Sequence, residues 1–160
     1  MDTFLAIASR REVREYTGAP IPPEIVHRIL DAGRLSGSSR NTQQWEFVVV
    51  SDREALSEAV YAPGNVLGAT LAVALAGAAF PLDMGRAAQN MMLAAWNDGI
   101  GSCPNGIRDA ELAERIVGAP VRIILTFGYP AKPRDPNAHT AEEWSARAKR
   151  KPFDEVVRDA

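Results

Sequence analysis

At 160 residues the chain has the length of one domain with a real core. Its hydrophobic fraction of 46% and charged fraction of 24% belong to a folded globular protein and exclude a disordered or collagen-like chain. A net charge of −2 gives no bulk field for nucleic acid or an anionic membrane. The single cysteine, Cys103, excludes an intramolecular disulfide and fits a reducing cytoplasm.

Met1–Ser9 carries Asp2 and lacks a long apolar region, so it does not read as a secretory signal. Asp2 is placed to cap a short helix that buries Phe4, Leu5 and Ile7. The run Arg10-Arg11-Glu12-Val13-Arg14-Glu15-Tyr16 follows as the helix end or the next loop. Pro22-Pro23-Glu24 starts a second helix, with Ile25, Ile29, Leu30 and Ala32 at helical spacing and an end near Gly33–Gly37. The polar connection Ser36–Trp45 leads into a strand over Glu46–Ser51. Asp52 caps one helix predicted to run through Ala62.

Ala69–Phe80 is the longest apolar stretch, too short to span a bilayer, and predicts a buried strand over Ala69–Ala76. Asp83–Asn97 is a helix with apolar residues over most of its circumference, hence a central one, stopped by Asp98-Gly99. Gly99–Gly106 reads as an irregular glycine-rich loop, Asp109–Val117 as a short helix and Val121–Phe127 as a strand. The Pro-, Lys- and Arg-rich stretch from Ala131 to Arg150 reads as an extended arm. Helices and strands mix without a G-x-G-x-x-G turn between strand and helix, which rejects a dinucleotide-binding doubly wound sheet and predicts an α+β fold with a mixed sheet.

Four constellations carry chemistry. The forked guanidinium groups of Arg10, Arg11 and Arg14 suit a phosphate. The connection S-G-S-S-R-N-T-Q-Q-W offers Ser38, Ser39, Asn41 and Gln43; its carboxamides suit the alternating donors and acceptors of a pyrimidine-like ring edge. Glycine-rich Gly99–Gly106 lets backbone N–H groups approach a planar ring. Arg147, Lys149, Arg150 and Lys151 form a basic segment beside Pro152. Each has an ordinary reading: solvated charge, turn chemistry, a plain connection or a soluble arm. His27 and His139 lack partners at metal-ligand spacing, so no metal site is expected. No catalytic acid pair or nucleophile elbow is evident.

In this order the four pieces resemble the flavin-dependent nitroreductase family, in its short members. R-R-E-V-R-E-Y is similar to the family's Arg-Arg-Ser-x-Arg-x-Phe/Tyr signature, and S-S-R-N-T-Q-Q-W to its Pro-Ser-x-x-Asn-x-Gln-Pro-Trp loop. D-M-G-R-A-A-Q-N-M-M-L-A-A-W-N-D-G-I-G resembles its central helix, and G-Y-P with R-K-P-F-D-E-V-V its closing strand and arm. The resemblance implies a single domain over residues 1–160, in a three-layer α-β-α fold with a mixed, mostly antiparallel sheet. It implies a homodimer whose C-terminal arm, residues 131–160, packs on the partner subunit, with FMN at the subunit interface. It also implies NADH or NADPH as electron donor, a small-molecule acceptor such as a nitroaromatic or quinone, and no nucleic-acid or membrane partner.

Carried over by position, Arg10, Arg11, Arg14 and Arg150 hold the phosphate and ring edge. Ser38, Ser39, Asn41 and Gln43 meet the flavin, and Pro104, Asn105 and Gly106 form the loop whose backbone N–H reaches its reactive nitrogen. No side chain is expected to be catalytic, since the flavin carries the chemistry. Two positions depart from the pattern. Glu12 replaces a serine, and a carboxylate repels phosphate unless it turns outward and pairs with an arginine. Gln44 replaces a proline, and lid-forming insertions are missing. Glu12 and the missing lid leave open a flavin-binding protein without turnover, and within the same fold the alternative is a member acting on flavin itself or on halogenated aromatics.

Overall fold

In a computed structural model, described over residues 1–159, the chain has eight α-helices and four strands among the described residues. In chain order these are α1 (Thr3–Ser9), α2 (Pro23–Arg34), β1 (Glu46–Val49), α3 (Arg53–Glu58), α4 (Pro63–Leu67), β2 (Leu71–Ala76), α5 (Pro81–Asn97), β3 (Gly101–Asn105), α6 (Ala110–Val117), β4 (Val121–Gly128), α7 (Ala141–Arg147) and α8 (Phe153–Val156). They fall into two compact units, residues 11–134 and residues 1–10 with 135 onward.

The larger unit is built on a sheet of order β1-β2-β4-β3, antiparallel at every strand pair. The expected parallel component is confined to an isolated bridge between Glu12 and Ser102. β2 explains the layering. All six of its residues are buried, and successive side chains point to opposite faces. Leu71, Val73 and Leu75 pack with Ile29 of α2 and Met84, Ala88, Met91, Met92 and Ala95 of α5. Ala72 and Ala74 pack with Leu56, Val60 and Val66 on the other face. Each large side chain so buried contributes about 1.5–3 kcal/mol, so a strand covered on both faces anchors the unit.

The helix ends follow local chemistry. Pro23 and Pro81 open α2 and α5, where a missing N–H costs nothing. Asp52 and Asp109 cap α3 and α6 through the N–H groups of Ala55 and Leu112.

Three expectations are corrected. Gly101–Asn105, read as loop, is the edge strand β3; Cys103 pairs with Thr126, and Pro104 is tolerated because an edge strand needs fewer donors. The helix expected from Asp52 through Ala62 stops at Glu58, before Val60 bridges Ile107, and a separate helix, α4, starts at Pro63. The expected extended arm contains α7, started by a capping box in which Thr140 and Glu143 bond each other's backbone N–H.

The smaller unit brings α1, capped by Asp2, together with α7. Trp144 donates its indole N–H to Pro136 O at 2.8 Å and stands edge-on to His139 at 4.8 Å. Phe4 and Ile7, expected to be buried by α1, are exposed instead, as are Phe153 and Val156; α1 buries Ala6 and Ser9.

Candidate functional site

The arginine-bearing segment lies flat against the sheet. Val13 N–H donates to Ser102 O at 3.0 Å, Thr17 N–H to Tyr129 O at 2.9 Å, and Ala131 N–H to Glu15 O at 2.9 Å. Two glycines make this approach possible. Gly101 and Gly128 are cross-strand partners in β3 and β4. A Cβ on Gly101 would stand 2.7 Å from Val13 Cβ, and one on Gly128 2.8 Å from Tyr16 Cδ1. Tyr16 locks the segment by donating to Val13 O at 2.7 Å, with Thr126 Oγ1 at 3.2 Å. Burial pushes its phenol up to about 12, against the lowering effect of the Thr126 hydrogen bond. Tyr16 is therefore a neutral donor at ordinary pH.

Val13 points into the protein while Arg14 and Glu15 are exposed. A cleft of about 270 Å³ opens here, lined by Glu12, Val13, Arg14, Glu15, Pro130, Lys132 and Arg134. Lys132 and Arg134 escaped the sequence reading. Their signal was two cations at alternate positions just past Gly128-Tyr129-Pro130, at the strand end that the Arg14 segment flanks. Glu12, expected to turn outward or disturb phosphate binding, keeps Oε2 buried. Ser102 Oγ, across the bridge from Glu12, is buried without a hydrogen-bond partner among the described residues. Such an orphan is costly and marks where a ligand or water belongs.

The Ser36–Gln43 connection is backbone-strained. Arg40, Asn41 and Gln43 have φ of 52°, 58° and 51°, the left-handed region that non-glycine residues avoid. Among the described residues the remaining non-glycine positive φ is at Lys149, beside Arg150. Both segments are ones that sequence reasoning assigned to a ligand. Within the loop Ser38 Oγ accepts from Gln43 N–H at 3.0 Å, and Gln43 Nε2 donates to Asn41 O at 3.2 Å. Ser38 and Gln43 thus shape the loop as well as offering polar atoms, while Ser39 and Asn41 are exposed.

At the end of β3, Asn105 is buried and its carboxamide is fully engaged. Nδ2 donates to Cys103 O, Ile124 O and Thr126 Oγ1 at 3.0–3.3 Å, and Oδ1 accepts from Asn65 Nδ2 at 2.9 Å. What Asn105 can offer a ligand is its backbone. Pro104 is half-buried and Gly106 exposed, with Gly106 O accepting from Tyr61 N–H at 3.2 Å. The Tyr61 ring, 73% exposed, lies 3.3 Å from where a Gly106 Cβ would be. This exposed aromatic was also not singled out in the sequence.

The candidate residues divide between the units. Arg11, Arg14, the loop and Pro104–Gly106 belong to the larger one. Arg10, whose N–H bonds Ala6 O as the cap of α1, and exposed Arg150 belong to the smaller. Among the described residues no cluster of His, Cys, Asp and Glu could hold a metal, and no helix is long and apolar enough to cross a membrane.

The description "Nitroreductase family" fits residues 7–81 and 74–129 of this chain. A protein of Archaeoglobus fulgidus assigned as an NADH dehydrogenase/NAD(P)H nitroreductase is 32% identical over 149 residues, covering 81% of this chain and 86% of its own. A structure of the same assignment from Bacteroides thetaiotaomicron is 28% identical with a TM-score of 0.74, covering 89% of this chain and 96% of its own. A structure from Desulfovibrio desulfuricans, assigned as a nitroreductase and solved in complex with FMN, has a TM-score of 0.81 at 22% identity over all of this chain and 98% of its own. At that identity the last likeness concerns the fold.

Proposed function

The chain belongs to the nitroreductase family, and on that premise we propose that it is an FMN-dependent oxidoreductase. Its donor is NADH or NADPH, and its acceptor a nitroaromatic, quinone or similar small molecule. The observation that carries this reading is the strained Ser36–Gln43 loop. Three non-glycine residues in the left-handed region are held in a segment that presents hydroxyls and carboxamides. Such strain persists where surrounding structure enforces it, and it clusters at ligand sites.

The donor set fits FMN. The cleft supplies three cations, Arg14, Lys132 and Arg134, for a phosphate. The buried Ser102 hydroxyl beside it has a proton to give. Family resemblance adds Arg10, Arg11 and Arg150. Ser39, Asn41, Ser38 and Gln43 orient the pyrimidine-like ring edge through hydroxyl and carboxamide groups. In the Pro104–Gly106 segment the backbone N–H groups of Asn105 and Gly106 would be the fixed donors for negative charge on the ring, since Pro104 has none. Tyr61 offers an exposed aromatic face to a planar reactant. When bound, FMN supplies the hydride acceptor and donor chemistry, which is why the chain needs no acid–base pair.

The same reading makes the protein a homodimer with the flavin at the subunit interface. Phe80 and Leu82 at the start of α5, and Phe4, Ile7, Phe153 and Val156 on the smaller unit, are apolar surface in want of cover. Initial rates with varied NADH and acceptor test the proposal. Parallel double-reciprocal lines and no oxidation without acceptor are expected. A protein that oxidises neither nicotinamide with any nitroaromatic or quinone contradicts it. Bound flavin that nicotinamides cannot reduce favours the reading without turnover, which the buried Glu12 carboxylate beside the phosphate cations keeps in view.

A further inference from the structure

We propose that Asp83, Arg86 and Asn90, one polar stripe of α5, are positioning residues that hold the Ser36–Gln43 loop in its ligand-ready shape. The proposal rests on the FMN reading above and extends it to a polar stripe of the helix whose apolar side chains form the core.

Residues 83, 86 and 90 recur at spacings of three and four, so they share a helix face. Each meets a different point of the loop. Asp83, 4% exposed, accepts from Ser39 N–H through Oδ2 at 3.0 Å. Asn90 Nδ2 donates to Ser36 Oγ at 2.7 Å. The Arg86 guanidinium lies over Gly37 so closely that a Cβ there would stand 2.5 Å from Nη2. Arg86 also faces Asp83, with Nη1 3.9 Å from Oδ1. The glycine at position 37 is thus explained by the arginine above it.

The loop needs these anchors. Its left-handed residues at 40, 41 and 43 are strained, and its internal bonds are short-range. A loop with only those bonds relaxes, and a ligand must then order it again at the expense of affinity. Anchored to α5, it presents Ser39 and Asn41 to the solvent side already arranged. Asp83 takes up the Ser39 peptide donor, so the loop meets its ligand through side chains and not through that N–H.

The test separates shape from stability. Arg40 is exposed at the middle of the loop and is a trypsin site. FMN-free wild type, Asp83→Ala, Asp83→Asn and Met91→Ala are digested, and cleavage after Arg40 is followed by mass spectrometry. FMN dissociation constants are then read from quenching of flavin fluorescence. Asp83→Ala is expected to be cleaved at Arg40 about tenfold faster and to bind FMN about tenfold more weakly, because cleavage tracks the open population and binding must close it. Asp83→Asn keeps an acceptor oxygen and stays within about threefold on both. Met91→Ala, a cavity in the core beneath α2, lowers the melting temperature further yet weakens FMN less than Asp83→Ala.

Unchanged cleavage at Arg40 in Asp83→Ala overturns the anchoring. Faster cleavage with unchanged FMN affinity overturns the link to the site, as does Met91→Ala losing as much affinity as Asp83→Ala. Absence of FMN binding by wild type is a failure of the functional reading, and the cleavage comparison still decides the anchoring.

Discussion

Gly101→Ala is the sharpest probe of how the arginine segment is held. The new Cβ would stand 2.7 Å from Val13 Cβ, 2.7 Å from Cγ2 and 2.8 Å from Cγ1. Carbon atoms rest about 3.5–4.0 Å apart, so the segment must withdraw by roughly 1 Å. Val13 cannot swing aside, because a β-branched side chain is stiff and its own Cβ is one of the clashing atoms. Overpacking of this kind costs about 1–3 kcal/mol, or a few degrees of melting temperature for a chain of this length. The displaced segment carries Arg14. Loss of one charge-assisted hydrogen bond, about 1.5–3 kcal/mol, weakens FMN roughly 10- to 100-fold. The assay pairs differential scanning fluorimetry of FMN-free protein with a flavin fluorescence titration. Gly64→Ala, in α4 where an added Cβ meets nothing within 4 Å, controls for the chemical change; it should not lower the melting temperature and should leave FMN affinity unchanged. Wild-type melting and wild-type FMN affinity in Gly101→Ala would refute the two-glycine notch as the device that places Arg14.

Glu12→Ser removes a carboxylate from a cleft proposed to hold phosphate. Relief of about 1 kcal/mol of repulsion tightens FMN roughly five- to tenfold in low salt, and equal or weaker binding in a titration shows that Glu12 does not oppose the phosphate. Lys132→Ala and Arg134→Ala each weaken FMN about tenfold and flatten its dependence on ionic strength, with riboflavin affinity unchanged; a matching loss for riboflavin assigns them another role. Tyr16 supports a stability prediction. Its folded pKa of about 12 exceeds the ordinary 10, so the folded state holds the proton more tightly. The stabilisation is complete below pH 10 and is lost as pH rises to 12, amounting to about 2–3 kcal/mol. Urea midpoints should fall over that window in wild type and less steeply in Tyr16→Phe, and parallel curves argue against the burial that raises it.

What was legible in the sequence followed periodicity and caps. α2 and α5 show as helices because Pro23 and the Asp98-Gly99 stop bracket apolar residues at helical spacing. β2 shows as an apolar run because both its faces are covered. β3 was hidden because Gly-Ser-Cys-Pro-Asn has no strand propensity of its own; its pairing with β4 makes it a strand. α7 was hidden by its charge, although Thr140 and Glu143 spell a capping box.

The polar density of Ser38–Gln43 gave away the loop. Its left-handed backbone, and the pull of Asp83 on Ser39 from 44 residues away, could not be read locally. Lys132 and Arg134 lie more than a hundred residues from Arg14. The bridge between Tyr16 and Pro130 brings them into one cleft.

The most direct test of the account is one absorbance experiment. Purified protein is mixed with FMN, freed of unbound flavin, and examined without oxygen before and after NADH or NADPH. The account predicts a yellow protein whose visible flavin band bleaches on adding nicotinamide and returns on adding a quinone or nitroaromatic. A colourless protein that lets FMN pass through the desalting column contradicts it.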